Sequence, residues 1–309
     1  MTFELTILGS SSALPTSKRF PTAHLLNVNE RFYLIDCGEG TQVQLRRFGL
    51  SPARINHIFI SHLHGDHVFG LFGLISTLGL MGRKADLHLY GPGMLEEVIN
   101  SHLNYFGPLP FDLKFHTPRT PLPSVIFEDS KLEVTALELQ HRKPTIGYLF
   151  KEKSKMLNIK KEEIEGLGLG IADVVRIKNG EDYHSPDGKV IANKELTLPP
   201  WHRRSYAYLS DTKFNPAIIP YIKGVDILFH EATFMEKDHK LAEETWHSTA
   251  GDAAKIAKKA GAGQLLIGHF STRYKSVDEL VNEAKEIFPA TTGVNDGDTF
   301  SLPLVREQN

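Results

Sequence analysis

Four metal-binding side chains fall within the six residues His62-Leu63-His64-Gly65-Asp66-His67, and what flanks them limits the folds open to the chain. Ile55-Asn56-His57-Ile58-Phe59-Ile60-Ser61 is apolar and β-branched and reads as a buried strand, while Val68-Phe69-Gly70-Leu71-Phe72-Gly73-Leu74 can open a helix. The ligands therefore sit at a strand-to-helix turn. Side chains alternate along an extended backbone, so His62 and His64 can share one side, and Gly65 can let the chain bend and aim Asp66 and His67 elsewhere. That arrangement suits two adjacent metal ions better than one. Imidazole nitrogen and carboxylate oxygen favour Zn²⁺, with Mn²⁺ or Fe²⁺ as alternatives that spacing leaves open.

Composition narrows the setting. At 309 residues the chain can bury a large core, as one big α/β domain or two small ones. Its 41% hydrophobic and 23% charged content is that of an ordinary soluble protein. No apolar run reaches bilayer length, and Met1-Thr2-Phe3-Glu4 lacks the basic-then-apolar start of a signal peptide, so a cytoplasmic location is expected. Cys37 is the single cysteine, which rules out an intrachain disulfide and a thiolate-rich zinc site. Any metal must be held by His, Asp or Glu. A formal net charge of −2 gives no global sign of nucleic-acid binding, though a local basic patch stays open.

Along the chain, strands repeatedly deliver polar residues. Phe3–Leu8 alternates and runs into Gly9-Ser10-Ser11-Ser12-Ala13-Leu14-Pro15-Thr16, either a surface turn or a phosphate-contacting loop, with Lys18 and Arg19 just beyond. Ala23–Val28 and Arg31–Ile35 read as a hairpin ending at Asp36, which could brace the metal ligands or cap a helix over Thr41–Phe48. Short strands follow, among them Leu132–Leu139, with His141 just past its end. Residues 151–200 turn to lysine and glutamate, with Gly166-Leu167-Gly168-Leu169-Gly170, and read as an inserted arm rather than a second core. Tyr206-Ala207-Tyr208-Leu209 then delivers Ser210-Asp211-Thr212, Val225–Phe229 delivers His230-Glu231-Ala232-Thr233, His247-Ser248-Thr249 precedes a helix over 250–260, and Gln264–Gly268 delivers His269. Strands that end in such residues are how α/β enzymes present a site at one sheet edge.

Taken together, these segments resemble the metallo-β-lactamase superfamily and, within it, the ribonuclease Z family. The likeness runs from Leu8-Gly9-Ser10-Ser11-Ser12-Ala13-Leu14-Pro15-Thr16 to Gly268-His269-Phe270-Ser271-Thr272-Arg273-Tyr274. The ligand turn carries the superfamily; His230-Glu231-Ala232-Thr233 followed by His247-Ser248-Thr249-Ala250 is similar to ribonuclease Z specifically. The resemblance implies a four-layer αβ/βα sandwich over the whole chain, with residues 151–200 as an arm that contacts tRNA. It implies two Zn²⁺ per chain (Mn²⁺ or another divalent ion being possible), one held by His62, His64 and His141, the other by Asp66, His67 and His269, with Asp211 between them. A water shared by the ions would be hydroxide-like near neutral pH. Asp66 would take the nucleophile's proton, and His247, steered by Glu231, would protonate the leaving 3′ oxygen. The implied activity is removal of the 3′ trailer from precursor tRNA, leaving a 3′-hydroxyl on the tRNA and a 5′-phosphate on the trailer, in a cytoplasmic homodimer. Lys18, Arg19 and Arg273 are candidate phosphate contacts. The arm departs from the family pattern, since its tip carries Gly-Leu repeats and no Gly-Pro pair. An alternative within the superfamily is a hydrolase of small phosphodiesters, thioesters or lactones, because ligands fix the metal chemistry and not the substrate.

Overall fold

The computed structural model describes residues 1–307. These form two compact units, residues 1–151 with 205–302, and residues 152–204 with the C-terminal segment from Pro303.

The first unit is built on two seven-stranded sheets. One contains β1 (Phe3–Gly9), β2 (Ala23–Val28), β3 (Arg31–Ile35), β4 (Ile55–Phe59), β5 (Leu87–Tyr90) and β6 (Leu113–His116) in sequential order, with β16 (Thr299–Ser301) outside β1. The other contains β7 (Ser124–Glu128), β8 (Leu132–Leu139), β9 (Thr145–Glu152), β12 (Ser205–Leu209), β13 (Ile227–Glu231), β14 (Gln264–Gly268) and β15 (Thr291–Gly293), again in sequential order. Alternation along the strands explains how both sheets are covered on both faces. Tyr33 and Ile35 of β3, Tyr206 and Tyr208 of β12, and Phe229 of β13 point into one shared core between the sheets. Their neighbours point outward: Leu34 and Phe32 meet helices α1 (Thr41–Arg47), α2 (Gly65–Leu80) and α3 (Leu95–Phe106), whereas Ala207, Leu209 and Leu228 meet the alanine-rich α8 (Ala250–Ala260) and α9 (Asp278–Ile287). The result is a four-layer αβ/βα sandwich.

Aromatic rings fill the shared layer, with Phe59 stacked on Tyr90 at 4.4 Å between centroids and Tyr208 on Phe229 at 5.2 Å. Such pairs add to the large area each ring buries. Helix α8 is fixed at its start by a capping box in which Thr249 accepts from the Asp252 amide and Asp252 accepts from the Thr249 amide. Strands β3 and β4 run parallel, as do β12, β13 and β14, so their carboxyl ends gather at one edge.

The second unit contains three short helices, α4 (Lys161–Ile164), α5 (Ile171–Lys178) and α6 (Asn193–Leu196), and a hairpin of β10 (Tyr183–His184) with β11 (Val190–Ile191). It differs from the coreless arm read from its composition. Ile177, Tyr183 and Leu196 are buried together, with Ile159, Ile164, Leu167, Leu169 and Ile191 packed on them. These residues follow no single period, which hid them among the lysines and glutamates. At its base Arg204 and Glu152 form a fully buried ion pair at 2.8 Å, and the Arg306 guanidinium lies 3.9 Å over the Trp201 ring. Helix α7 (His239–Thr245) belongs to the first unit and is capped at its C-terminus by Trp246.

Candidate metal centre

The ligand turn begins where β4 stops at Phe59 and stays extended through His64, the N-cap of α2. The helix opens at Gly65, three residues before the Val68 start suggested by the apolar run, so Asp66 and His67 lie on its first turn. A carboxylate there is favoured by the helix dipole. Gly65 serves space rather than bending: it lies outside the positive-φ glycines, and a Cβ on it would stand 2.3 Å from the Phe69 ring. Strand β8 delivers His141, β12 delivers Asp211, β14 delivers His269, and β13 continues through His230 and Glu231 instead of ending before them.

The structure brings all seven expected ligands together. Asp211 stands at the centre with its two oxygens facing different imidazoles. Oδ2 is 3.3 Å from His62 Nε2 and 3.7 Å from His141 Nε2; Oδ1 is 3.3 Å from His67 Nε2 and 3.1 Å from His269 Nε2. His64 Nδ1 lies 2.9 Å from His62 Nε2, and Asp66 Oδ2 lies 3.5 Å from His67 Nε2 and 3.4 Å from His269 Nε2. Donors on a tetrahedral ion with bonds of about 2.1 Å are about 3.4 Å apart. The clusters His62, His64, His141, Asp211 and Asp66, His67, His269 each have the reach to hold one cation. The Nε2 atoms of His67, His141 and His269 are buried without a hydrogen-bond partner and aim into this space, which is the state of a metal ligand rather than of a satisfied core histidine.

The opposite ring nitrogens are fixed. His141 Nδ1 donates to the Trp246 carbonyl at 2.9 Å, His269 Nδ1 to Thr233 Oγ1 at 2.9 Å, and His67 Nδ1 to Asp36 Oδ2 at 2.7 Å. Each bond leaves Nε2 as the lone-pair nitrogen. Asp36 also accepts from the Ser61 amide at 2.7 Å, the Ser61 hydroxyl at 2.8 Å and the Tyr208 hydroxyl at 2.5 Å. It braces a ligand and does not cap α1, whose N-cap is Gly40. Burial would raise the Asp36 pKa, but the His67 charge and these donors hold it below the ordinary carboxylate value. Asp211 and Asp66 are likewise held low, against burial, by the imidazoles around them. Burial lowers His62, His64 and His141, whereas the carboxylates Asp211, Asp66 and Asp36 outweigh it at His67 and raise that ring well above its usual value. Buried carboxylates gathered round one imidazole, which favour positive charge there, form a site suited to divalent cations.

Beside the ligands, Glu231 is fully buried and serves four donors. Oε1 accepts from the Thr212 amide and from His247 Nδ1, both at 2.8 Å; Oε2 accepts from the Thr233 amide at 3.2 Å and its hydroxyl at 2.6 Å. Burial alone would lower the His247 pKa, but the charge and hydrogen bond of Glu231 raise it to about 9. His247 Nε2 is then a proton donor facing a cavity of about 640 Å³ lined by His64, Asp66, Asp211 and His269. His230, by contrast, turns its Nδ1 to the Glu231 carbonyl at 2.7 Å.

Several side chains behave otherwise than their charge suggested. The serines after β1 are buried, with Ser10 donating to Asp296 and Ser12 to the Phe270 carbonyl, so the loop is not a hydroxyl cradle; its contribution is the Ala13 amide, which donates to Asp66 Oδ2 at 2.7 Å. Arg19 is spent internally on Ser10, the Val294 carbonyl and Asn295 at 2.6–2.8 Å. Arg273 lies 3.5 Å from Asp238 and over the Phe234 ring. Thr233, Tyr208 and the Trp246 carbonyl were missed from sequence. Only Thr233 had a signal, its place in the His-Glu-Ala-Thr segment.

Comparison with known proteins agrees with this geometry. Residues 196–270 match the model of the beta-lactamase superfamily domain, and residues 3–105 match that of the anti-Pycsar protein Apyc1. The chain is 50% identical to ribonuclease Z of Bacteroides fragilis over 94% of this chain and 95% of that protein, and 46% identical to ribonuclease Z of Porphyromonas gingivalis over 95% and 97%. Among solved structures it is similar to human tRNase Z, short form, with a TM-score of 0.71 and 26% identity over 97% of this chain and 99% of that one.

Proposed function

The chain belongs to the ribonuclease Z family and is a metal-dependent endoribonuclease of tRNA processing; we propose that it removes the 3′ trailer of precursor tRNA with two zinc ions, leaving a 3′-hydroxyl on the tRNA and a 5′-phosphate on the trailer. The observation that carries the two-cation part of this reading is Asp211, whose two oxygens face two separate imidazole sets at 3.1–3.7 Å; the substrate part rests on the likeness to ribonuclease Z over nearly the whole chain. His and Asp donors without cysteine favour zinc among the divalent ions. The chemistry such a pair of cations supplies when bound is neutralisation of phosphate oxygens and acidification of the attacking water.

The remaining work falls to the chain. His62, His64 and His141 would hold one cation and Asp66, His67 and His269 the other, with Asp211 contributing to both. Asp66, steadied by the Ala13 amide, takes up the proton of the attacking water. His247 keeps its Nδ1 proton on Glu231 and delivers the Nε2 proton to the departing O3′, so no alkoxide has to leave unprotonated. Residues 151–200 are assigned to grasp the tRNA, recognising backbone and shape. A homodimer is also part of the proposal; Val43 of α1 and Leu80 of α2 are apolar and exposed. Trailer removal makes the cytoplasm the proposed compartment. Among the described residues no helix is long and apolar enough to cross a membrane.

The test compares the metal-loaded protein on a precursor tRNA and on a small aryl phosphodiester. Preferential cleavage of the precursor with the stated ends supports the proposal, whereas hydrolysis of the small ester alone would make the chain a small-ester hydrolase. Deleting residues 151–200 should abolish tRNA cleavage and spare the small ester; equal loss of both would give the arm a folding role instead.

A further inference from the structure

A second cavity in the first unit, about 1360 Å³, adjoins the metal centre on the His141 side. It exceeds the roughly 300–1,000 Å³ of a single small-molecule pocket. Leu63, which separates His62 from His64, and His141 both line it, so it reaches the centre at His141. The 640 Å³ cavity reaches the centre at His64, Asp66, Asp211 and His269 and is the one that His247 lines.

We propose that this larger cleft binds the single-stranded RNA on the 3′ side of the scissile phosphate, with Trp246 as a base-stacking platform and Lys213 and Lys143 as backbone contacts. The inference rests on the trailer-removal reading, which fixes the direction of the chain. The oxygen that His247 protonates belongs to the last nucleotide of the tRNA, so that nucleotide enters by the cavity that His247 lines, and the trailer leaves by the one it does not line.

Charge separates the two cavities. Arg142, Lys143 and Lys213 line the larger one against the single carboxylate of Glu138, while the smaller, away from the metal centre itself, is lined by Glu39 and by no lysine or arginine. A polyanionic strand is drawn to the larger. Trp246 supplies the second half of the argument. It ends α7 in the left-handed conformation, with φ of 62°, and the residue is 38% exposed. The Lys213 ammonium sits 4.6 Å over the ring, placing a cation beside an aromatic surface, the pairing by which proteins hold single-stranded RNA without reading sequence. The Trp246 carbonyl meanwhile orients His141, so the platform stands one residue from the proton donor and one hydrogen bond from a ligand.

The experiment measures kcat/KM for two precursors that differ only in trailer length, one nucleotide against about six. Their ratio cancels any loss common to both, including damage to His141 or to folding. The wild type should prefer the longer trailer by at least about fivefold, and Trp246→Ala should remove most of that preference. Trp246→Phe should restore it, and Lys213→Gln should reduce it and flatten its salt dependence. A wild-type ratio near one overturns the subsite, and a ratio unchanged in both Trp246→Ala and Lys213→Gln overturns its assignment to this cleft. If these variants weaken binding of mature tRNA, which lacks a trailer, as much as binding of the precursor, the cleft holds the tRNA side and the proposal is wrong. Should the wild type cleave neither precursor while hydrolysing a small diester, the trailer-removal reading itself fails, an outcome distinct from the other three.

Discussion

Asp36→Asn isolates what a residue outside the metal's reach contributes to holding it. The backbone at Asp36 is left-handed, with φ of 53°, a conformation that asparagine adopts more readily than most residues, so the amide changes chemistry without adding strain. In the native protein Oδ1 accepts from the Ser61 amide, and Oδ2 accepts from Ser61 Oγ, His67 Nδ1 and Tyr208. The amide oxygen of asparagine can replace Oδ2 and keep three of these donors. Its NH₂ then faces the Ser61 amide, leaving a buried donor opposed by a donor, at about 1–3 kcal/mol. The surviving bonds lose their charge assistance and about half their strength, and His67 becomes a poorer ligand. Partners of this kind are worth about 10–100-fold in metal affinity, or about 1.4–2.7 kcal/mol. The assay is a chelator titration that follows bound metal per chain, paired with thermal unfolding in excess metal and in excess chelator. The chelator midpoint should fall by one to two orders of magnitude, with a larger melting shift in metal than in chelator. An unchanged midpoint would refute the link from Asp36 through His67 to the metal, and equal melting losses in both conditions would reduce Asp36 to a purely structural role.

Three further substitutions separate the roles around the centre. Asp211→Ala should lose metal and activity together, because both donor sets depend on its oxygens; two ions retained per chain, by metal analysis, would count against a shared carboxylate. His247→Ala should keep its metal but lose about 10²–10⁴ in kcat, and undiminished turnover would remove it from the acid role. Glu231→Gln should shift the alkaline limb of the rate to lower pH: Glu231 raises the His247 pKa to about 9, the acid form is present below the folded pKa and lost above it, and removing the charge lowers that pKa by about 1–3 units. Bound cations displace the limb of both proteins in the same direction, so the comparison is between variant and wild type in pH-rate profiles. An unmoved limb would detach the limb from His247.

Metal ligation was the most legible part of the chain, because it demands particular residue types at short spacing and the ligand turn carries four of them in six positions. The sheet edge was legible as well, since strands ending in Asp36, Asp211 and His269 announce themselves by apolar runs that stop at a polar residue. His141 was not, because one histidine past a strand is ordinary; only the family likeness singled it out. Asp36 remained ambiguous since a helix cap and a ligand brace ask for the same residue. Apolar periodicity misled twice. It placed the start of α2 at Val68, although the cap is His64, and it stopped β13 before His230, although the strand runs through Glu231. Support from Tyr208 was hidden because a hydroxyl leaves no pattern, and the Trp246 carbonyl because every residue has one.

Thr233 allows the metal and proton functions to be pulled apart. Its hydroxyl donates to Glu231 Oε2 at 2.6 Å and accepts from His269 Nδ1 at 2.9 Å, while His247 reaches the same carboxylate through Oε1. One buried anion thus steadies a ligand and a proton donor by separate oxygens. Thr233→Val keeps the shape and removes the hydroxyl, so His269 Nδ1 loses its acceptor, a cost of about 1–3 kcal/mol that falls on the orientation of a ligand. The Glu231 charge and its bond to His247 survive. Chelator resistance should therefore drop about 10–100-fold, as it does for Asp36→Asn, while the alkaline limb stays where the wild type has it, unlike that of Glu231→Gln. Should Thr233→Val move the limb and leave metal retention untouched, the hydroxyl would be serving His247, and the division of labour between the two carboxylate oxygens would be the reverse of the one drawn from these distances.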